Sequence, residues 1–182
     1  MSRYPSLDEL GQRICIIGPS NSGKSTLANA IACKQGLPLV HLDQFYHQPH
    51  SHWVPRASGE FLQLHQEAIG QETWVMEGNY SSCIHPRLER ATGLVLLTLP
   101  RSIAFHRYLI RCYSSKPRIG GLGVQREALS WQMVKHILYH SPKNYLRYLA
   151  LFEQVTIPKL LLISPHEVKA YCGRWELDQS NP

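Results

Sequence analysis

The sequence predicts a three-layer α/β fold built on a parallel five-stranded sheet, and three observations carry that prediction. Five short apolar runs recur along the chain, separated by stretches with helical spacing. One of them, residues 93–100, is apolar almost throughout, as a strand buried on both faces should be. The first run, Ile14-Cys15-Ile16-Ile17, leads directly into Gly18-Pro19-Ser20-Asn21-Ser22-Gly23-Lys24-Ser25-Thr26, and a helix-forming stretch from Leu27 to Ala32 follows. Strand, glycine-rich loop and helix in that order form the phosphate-binding loop of a P-loop NTPase fold.

The elements follow in order. The first strand covers residues 13–18, and the first helix stops near Gly36, a residue suited to a left-handed C-cap. Leu39-Val40-His41-Leu42-Asp43 is a short strand ending in a carboxylate, and residues 44–56 form a loop bearing proline and histidine. Ser58 is placed to cap a helix running to about residue 69, with Glu60, Phe61, Leu64 and Ala68 at helical spacing. Thr73-Trp74-Val75-Met76-Glu77 is the third strand, again ending in a carboxylate. Residues 88–91 close a short helix, residues 93–100 form the fourth strand, and a helix covers 102–113. A glycine-rich loop spans 114–123, and residues 125–152 read as helix broken near Ser141-Pro142. The fifth strand is 159–163 and the last helix 165–172. No repeat or linker divides the chain, so it reads as one domain over residues 1–182, with a lid region at 102–126 and a polar tail at 175–182.

Composition narrows the class. The 182 residues suffice for one sizeable core, and 43% hydrophobic with 18% charged residues is ordinary for a globular chain. No apolar run reaches the length of a membrane span, and the first five residues lack the apolar core of a signal peptide, so a cytoplasmic location and no membrane partner are expected. The five cysteines form no C-x-x-C pair and read as reduced, mostly core thiols. His41, His47, His50 and His52 cluster in sequence, but they straddle a strand end and a loop without metal-ligand spacing. The net charge of +6 is unevenly placed: no acidic residue lies between Arg90 and Arg126, where Arg101, Arg107, Arg111, Lys116 and Arg118 sit.

The loop dictates the chemistry of the site. Its glycines turn backbone N–H groups inward as an anion nest, and the helix N-terminus adds partial positive charge. Gly18 through Thr26 therefore read as the binding site for ATP phosphates, with Lys24 reaching the β- and γ-phosphates and the Ser25 hydroxyl on Mg²⁺. Ligands of a parallel sheet bind at the carboxyl ends of its strands, where Asp43 and Glu77 both fall. Asp43 is suited to orient or deprotonate an acceptor hydroxyl and Glu77 to hold Mg²⁺, directly or through water; the sequence leaves open which carboxylate takes which role. Arg107 and Arg111, four apart, share a helix face, and Arg118 lies in the loop beyond. Together they read as a lid, with Arg111 on adenine or phosphate and Arg107 and Arg118 on transition-state charge. Arg101 faces either the crevice or the sheet edge. Asn79 and Tyr80 offer polar contacts to a substrate or form a tight turn, and Tyr46 and Trp53 either stack on a planar substrate or pack under their loop.

Taken together, the phosphate loop, His41-Leu42-Asp43-Gln44-Phe45-Tyr46, Trp53-Val54-Pro55-Arg56, Glu77-Gly78-Asn79-Tyr80 and Leu99-Pro100-Arg101 resemble the adenylate-kinase-like P-loop proteins labelled "DNA topology modulation", or FlaR-type, over about residues 12–170. The resemblance implies the nucleoside-phosphate-kinase arrangement, with sheet order 2-3-1-4-5, a substrate-binding insertion after the second strand and an arginine-bearing lid after the fourth. It places Gly18, Gly23, Lys24, Ser25 and Thr26 on ATP and Mg²⁺. The Asp43-Gln44-Phe45-Tyr46 segment is similar to the acceptor-side D-x-F-Y of uridine-kinase-like enzymes. The chain departs from the pattern twice. Glu77 stands where aspartate is usual, and the arginine-rich acceptor site of an adenylate kinase is missing, with only Arg56 and Arg87 as candidates.

The sequence therefore reads as an ATP-dependent kinase of a small, nucleoside- or nucleotide-like acceptor. The alternative is a regulatory ATPase linked to DNA topology or nucleic acid, for which the basic stretch is the main support. It ranks lower because no nucleic-acid-binding module is evident and lid arginines account for the same charges.

Overall fold

A computed structural model describes residues 5–51, 53–114, 119–122 and 129–178. Strand β1 (Arg13–Ile17) is the centre of the sheet. It pairs in parallel with β3 (Trp74–Glu77) on one side and β4 (Gly93–Leu97) on the other. Beyond them lie β2 (Leu39–His41) and β5 (Lys159–Leu162), so the order is β2-β3-β1-β4-β5, as expected. Register aligns Ile16 with both Glu77 and Val95, which brings the ends of β1 and β3 to one edge.

Alternation along β1 sorts the helices into two layers. Ile14 and Ile16 face α1 (Lys24–Gln35) and α8 (Pro165–Arg174), packing on Leu27, Ala28, Ile31 and Cys172. Cys15 and Ile17 face the opposite layer: α3 (Ser58–Gly70), α4 (Ile84–Arg90) and α7 (Ser141–Gln154) contribute Phe61, Ile84 and Phe152 there. A satellite cluster of Ala104, Tyr108, Val134 and Ile137 joins α5 (Arg101–Tyr113) to α6 (Trp131–Lys135) and the following π turn, His136–His140.

Several boundaries differ from the sequence reading. The second strand stops at His41, not Asp43, because its last ladder partner is Glu77, where β3 ends. Without a neighbour to pair with, the chain turns at Leu42 into the short helix α2 (Leu42–Tyr46), inside the segment expected as loop. Asp43 therefore stands in the first turn of a helix. The rest of that segment is a tight antiparallel turn closed by Gln48 N–H to Val54 O and Arg56 N–H to Tyr46 O. Ala57, not Ser58, occupies the N-cap of α3, since the Phe61 amide bonds Ala57 O.

The expected break at Ser141-Pro142 is instead a widening. Helix α6 starts at Trp131 with Ser130 as its cap, and the chain stays helical through the π turn into α7. Pro142 has no N–H to direct at Leu138 O, as an α-helix would require. Arg101 Nη1 donates to that carbonyl at 3.2 Å. Arg101 thus braces α5 against the π turn.

Close approach at Gly93 gives a test of the packing. A Cβ there would lie 2.5 Å from Leu10 O and 2.8 Å from Leu10 Cβ, backbone and core atoms that cannot swing away. Gly93→Ala is expected to lower unfolding free energy by about 1–3 kcal/mol through overpacking, measured by urea titration.

Candidate functional site

The phosphate loop leaves β1 at Gly18, whose φ is +150°, and a Cβ there would run into the Leu97 carbonyl. It re-enters regular structure at Gly23, the left-handed N-cap of α1 with φ +95°. The first-turn amides of α1 have no acceptor within the helix and open towards the loop. Two further donors fit a phosphate: Ser22 Oγ and Asn21 Nδ2 are buried and without a hydrogen-bond partner. Lys24 Nζ folds back to donate to Pro19 O at 3.2 Å, which keeps its charge over the loop.

The loop is fixed from β3. Gly18 N–H donates to Asn79 Oδ1 at 3.0 Å, and Asn79 Nδ2 donates to Gly18 O at 2.8 Å. The pair of bonds also sets the amide orientation. Asn79, read from sequence as a substrate contact or a turn residue, here clasps the start of the loop.

Glu77 is the buried carboxylate of the site. Its Oε1 accepts from Ser25 Oγ at 2.9 Å and lies 2.9 Å from His41 Nδ1. Burial pushes its pKa up, but the His41 hydrogen bond, the Lys24 ammonium and the Ser25 hydroxyl outweigh burial and hold it at about 2. A hydroxyl and a carboxylate meeting at the head of α1 fit a Mg²⁺ site, because this hard ion takes few protein oxygens and keeps its waters. His41 was not among the residues sequence reading placed at this carboxylate. Its position as the last partner of Glu77 across the β2–β3 ladder brings it there.

Asp43 faces the same crevice from α2. Its Oδ1 accepts from Tyr80 OH at 2.8 Å. Burial and the Asp43 charge push the Tyr80 hydroxyl far above its ordinary pKa, so it stays a donor. Tyr46 packs on the rings of Phe61 and Tyr80 at 5.3 and 4.8 Å, and Trp53 packs edge-on against His47 at 5.0 Å. These aromatics thus support one another.

The arginines divide. Arg107 Nη1 donates to Ser22 O at 3.1 Å and so lies on the phosphate loop. Arg111, one turn on, stands over the Tyr108 ring with its guanidinium carbon 5.5 Å from the centroid. Arg118 and Lys116 lie outside the described residues. Of the segment expected to close over nucleotide, residues 119–122 rest on the chain following β2. Gly121 O accepts from Gln44 Nε2, Leu122 O accepts from His50 N–H, and a Cβ on Gly120 would lie 2.6 Å from His41 Nδ1. A cavity of about 270 Å³ opens there between Gln44, Pro49, His50, Gly121 and Leu122. The larger cleft of about 450 Å³, beside Asp8, Lys34 and Arg174, holds none of these residues.

Sheet order, loop and flanking helices define a P-loop NTPase fold in its kinase-like form. No family model matches the chain, and a search of curated proteins finds no match. Among solved structures, the chain is similar to shikimate kinase from Bacteroides thetaiotaomicron, with a TM-score of 0.54 and 17% identity over 91% of this chain and 96% of that one. It is also similar to a gluconokinase from Sinorhizobium meliloti 1021, with a TM-score of 0.50 and 19% identity over 91% of this chain and 93% of that one. At these identities the likeness is one of fold.

Glu77 makes the site sensitive to acid. Its pKa falls from an ordinary 4.5 to about 2 on folding, so the stability it contributes is complete above pH 4.5 and is lost as pH falls towards 2. Stability over that interval is expected to drop with a slope approaching about 1.4 kcal/mol per pH unit. Glu77→Gln should remove that component of the slope in urea titrations repeated across the interval.

Proposed function

We propose that the chain is a Mg²⁺-dependent kinase that moves the γ-phosphoryl group of ATP to a hydroxyl of a small, nucleoside- or nucleotide-like molecule. The observation that carries this reading is the pairing of neighbours at the exit of β3. Asn79 holds the start of the phosphate loop while Tyr80 holds Asp43, so donor-side and acceptor-side groups are tied to consecutive residues.

Each group has a role in this reading. The amides of the loop, Ser22 Oγ and Asn21 Nδ2 bind the phosphates, and Lys24 swings from Pro19 O to the β- and γ-oxygens. Ser25 and Glu77 hold Mg²⁺, whose chemistry is to draw charge from the β- and γ-oxygens. Asp43, oriented by Tyr80, accepts the proton of the attacking hydroxyl. The new bond runs from the acceptor oxygen to the γ-phosphorus, the bond to the β-γ bridging oxygen breaks, and ADP leaves with that electron pair. Arg107, held on the phosphate loop by Ser22 O, neutralises the charge of the migrating group. In this reading Arg111 acts on adenine or phosphate, and Arg118, which lies outside the described residues, joins Arg107 on the transition-state charge. The narrower resemblance to the DNA topology modulation proteins supports the same nucleotide site and names no acceptor.

Two variants test the assignment. Lys24→Ala should abolish ATP binding by calorimetry. Asp43→Asn should lower ADP formation with a productive acceptor by about 10²–10⁴-fold while leaving ATP affinity unchanged. Unimpaired transfer by Asp43→Asn would overturn the role of Asp43, and unimpaired ATP binding by Lys24→Ala would overturn the nucleotide site itself.

A further inference from the structure

Helix α5 carries Arg107, yet its main support is not the sheet. Among the described residues, the element α5 touches most is the π turn at 136–140. Ala104 and Tyr108 of α5 pack with Val134 and Ile137 in the satellite cluster, apart from the two main cores. Helix α7 continues from the π turn and lies against β4. Beyond its covalent start after β4, α5 is therefore placed chiefly by the π turn and the helices on either side of it.

Two hydrogen bonds fix α5 on that support. At its start, Arg101 Nη1 donates to Leu138 O at 3.2 Å. One residue past Arg107, the Tyr108 hydroxyl accepts at 2.8 Å from the N–H of Ser130, the N-cap of α6. Tyr108 has no exposed surface, and its ring lies under the Arg111 guanidinium. Arg101 and Tyr108 are seven residues apart, so they share one face of the helix and lie about 10 Å apart along its axis. A helix bonded at one point can pivot about it. Bonded at two points on one face, it keeps both its rotation and its height. Rotation matters for Arg107, which projects about 100° round the axis from Tyr108. Its Nη1 donates to Ser22 O at 3.1 Å and would lie 3.5 Å from a Cβ on Gly23, so the guanidinium rests over the end of the phosphate loop.

We propose that Arg101 and Tyr108 are positioning residues for phosphoryl transfer: by fixing the rotation and height of α5 they keep Arg107 on the phosphate loop, where its charge meets the migrating group. This rests on the kinase reading above for the role of Arg107, and it adds the groups that aim it. The bonded nitrogen of Arg101 is turned to the π turn and not to the phosphate loop, so Arg101 acts through α5. The π turn has a part as well. Its departure from α-helical bonding ahead of Pro142 leaves Leu138 O open to Arg101, so the irregular stretch supplies the acceptor.

The test reads ADP formation, ATP affinity by calorimetry and amide hydrogen exchange over residues 18–26 for the full chain and its variants. Arg101→Met and Tyr108→Phe each remove one hydrogen bond and keep most of the apolar bulk. Each is expected to lower kcat about 3–10-fold, the worth of one such bond, while ATP affinity stays unchanged. Arg101→Lys, which can still donate to Leu138 O, should recover part of the loss. In an Arg107→Met background, Arg101→Met and Tyr108→Phe should have no further effect on kcat, because the group they aim is gone. A merely structural role predicts otherwise: losses that persist in that background, or a lower thermal midpoint with kcat unchanged. Either result overturns the proposal, as does an unchanged kcat in Arg101→Met. Should Tyr108→Phe fail to fold, the Arg101 variants decide alone. If no acceptor is phosphorylated, the kinase reading fails, and hydrogen exchange still decides the case of α5. Residues 18–26 should then exchange about 3–10-fold faster in Arg101→Met and Arg107→Met alike, and unchanged exchange in Arg101→Met overturns the proposal.

Discussion

Three residues at the end of β3 hold the crevice together. Glu77 bonds Ser25 and His41, Asn79 bonds both backbone polar groups of Gly18, and Tyr80 bonds Asp43. One short segment thus reaches the first helix, the second strand, the phosphate loop and the short helix after β2. The parallel register sets this up by placing Glu77 opposite Ile16, two residues before Gly18. Without these bonds the loop would still be glycine-rich and basic, yet nothing described would align it with Asp43.

The same segment explains why polar groups are tolerated so deep. Glu77 and His41 are both buried, and a lone carboxylate at that depth would protonate. Three favourable contacts reverse this, so the carboxylate stays charged where Lys24 and Ser25 require it. Arg87 in α4 differs: it is as deeply buried, and among the described residues none of its side-chain nitrogens has a hydrogen-bond partner.

What could be read from the sequence follows from how local its cause is. The phosphate loop was legible because strand, loop and helix signals occur within some twenty residues. Sheet order came through the motif resemblance, and Gly36 marked the end of α1 because its left-handed cap is a local property. The end of β2 was not legible, since it depends on where β3 runs out of partners. Asn79 was visible as a polar residue in the right loop, but its partner is 61 positions away. Pro142 flagged an irregularity correctly, while the continuity of the helix depends on a π turn and on Arg101, far back in the chain. Arg111 also follows Tyr108 by three positions in the same helix, so its contact with that ring was within reach of the spacing and was missed because the pair was read only for charge.

The geometry of Glu77 carries one more consequence. Ser25 and His41 converge on the same oxygen, Oε1. A carboxylate gripped by one oxygen cannot readily rotate to present both to a single ion. A small octahedral cation accepts one oxygen and fills its remaining positions with water, whereas larger calcium prefers more protein ligands and often takes a carboxylate by both arms. If the proposed ion is held here, the shared grip of serine and histidine on one oxygen would favour the smaller cation by denying the larger its second arm.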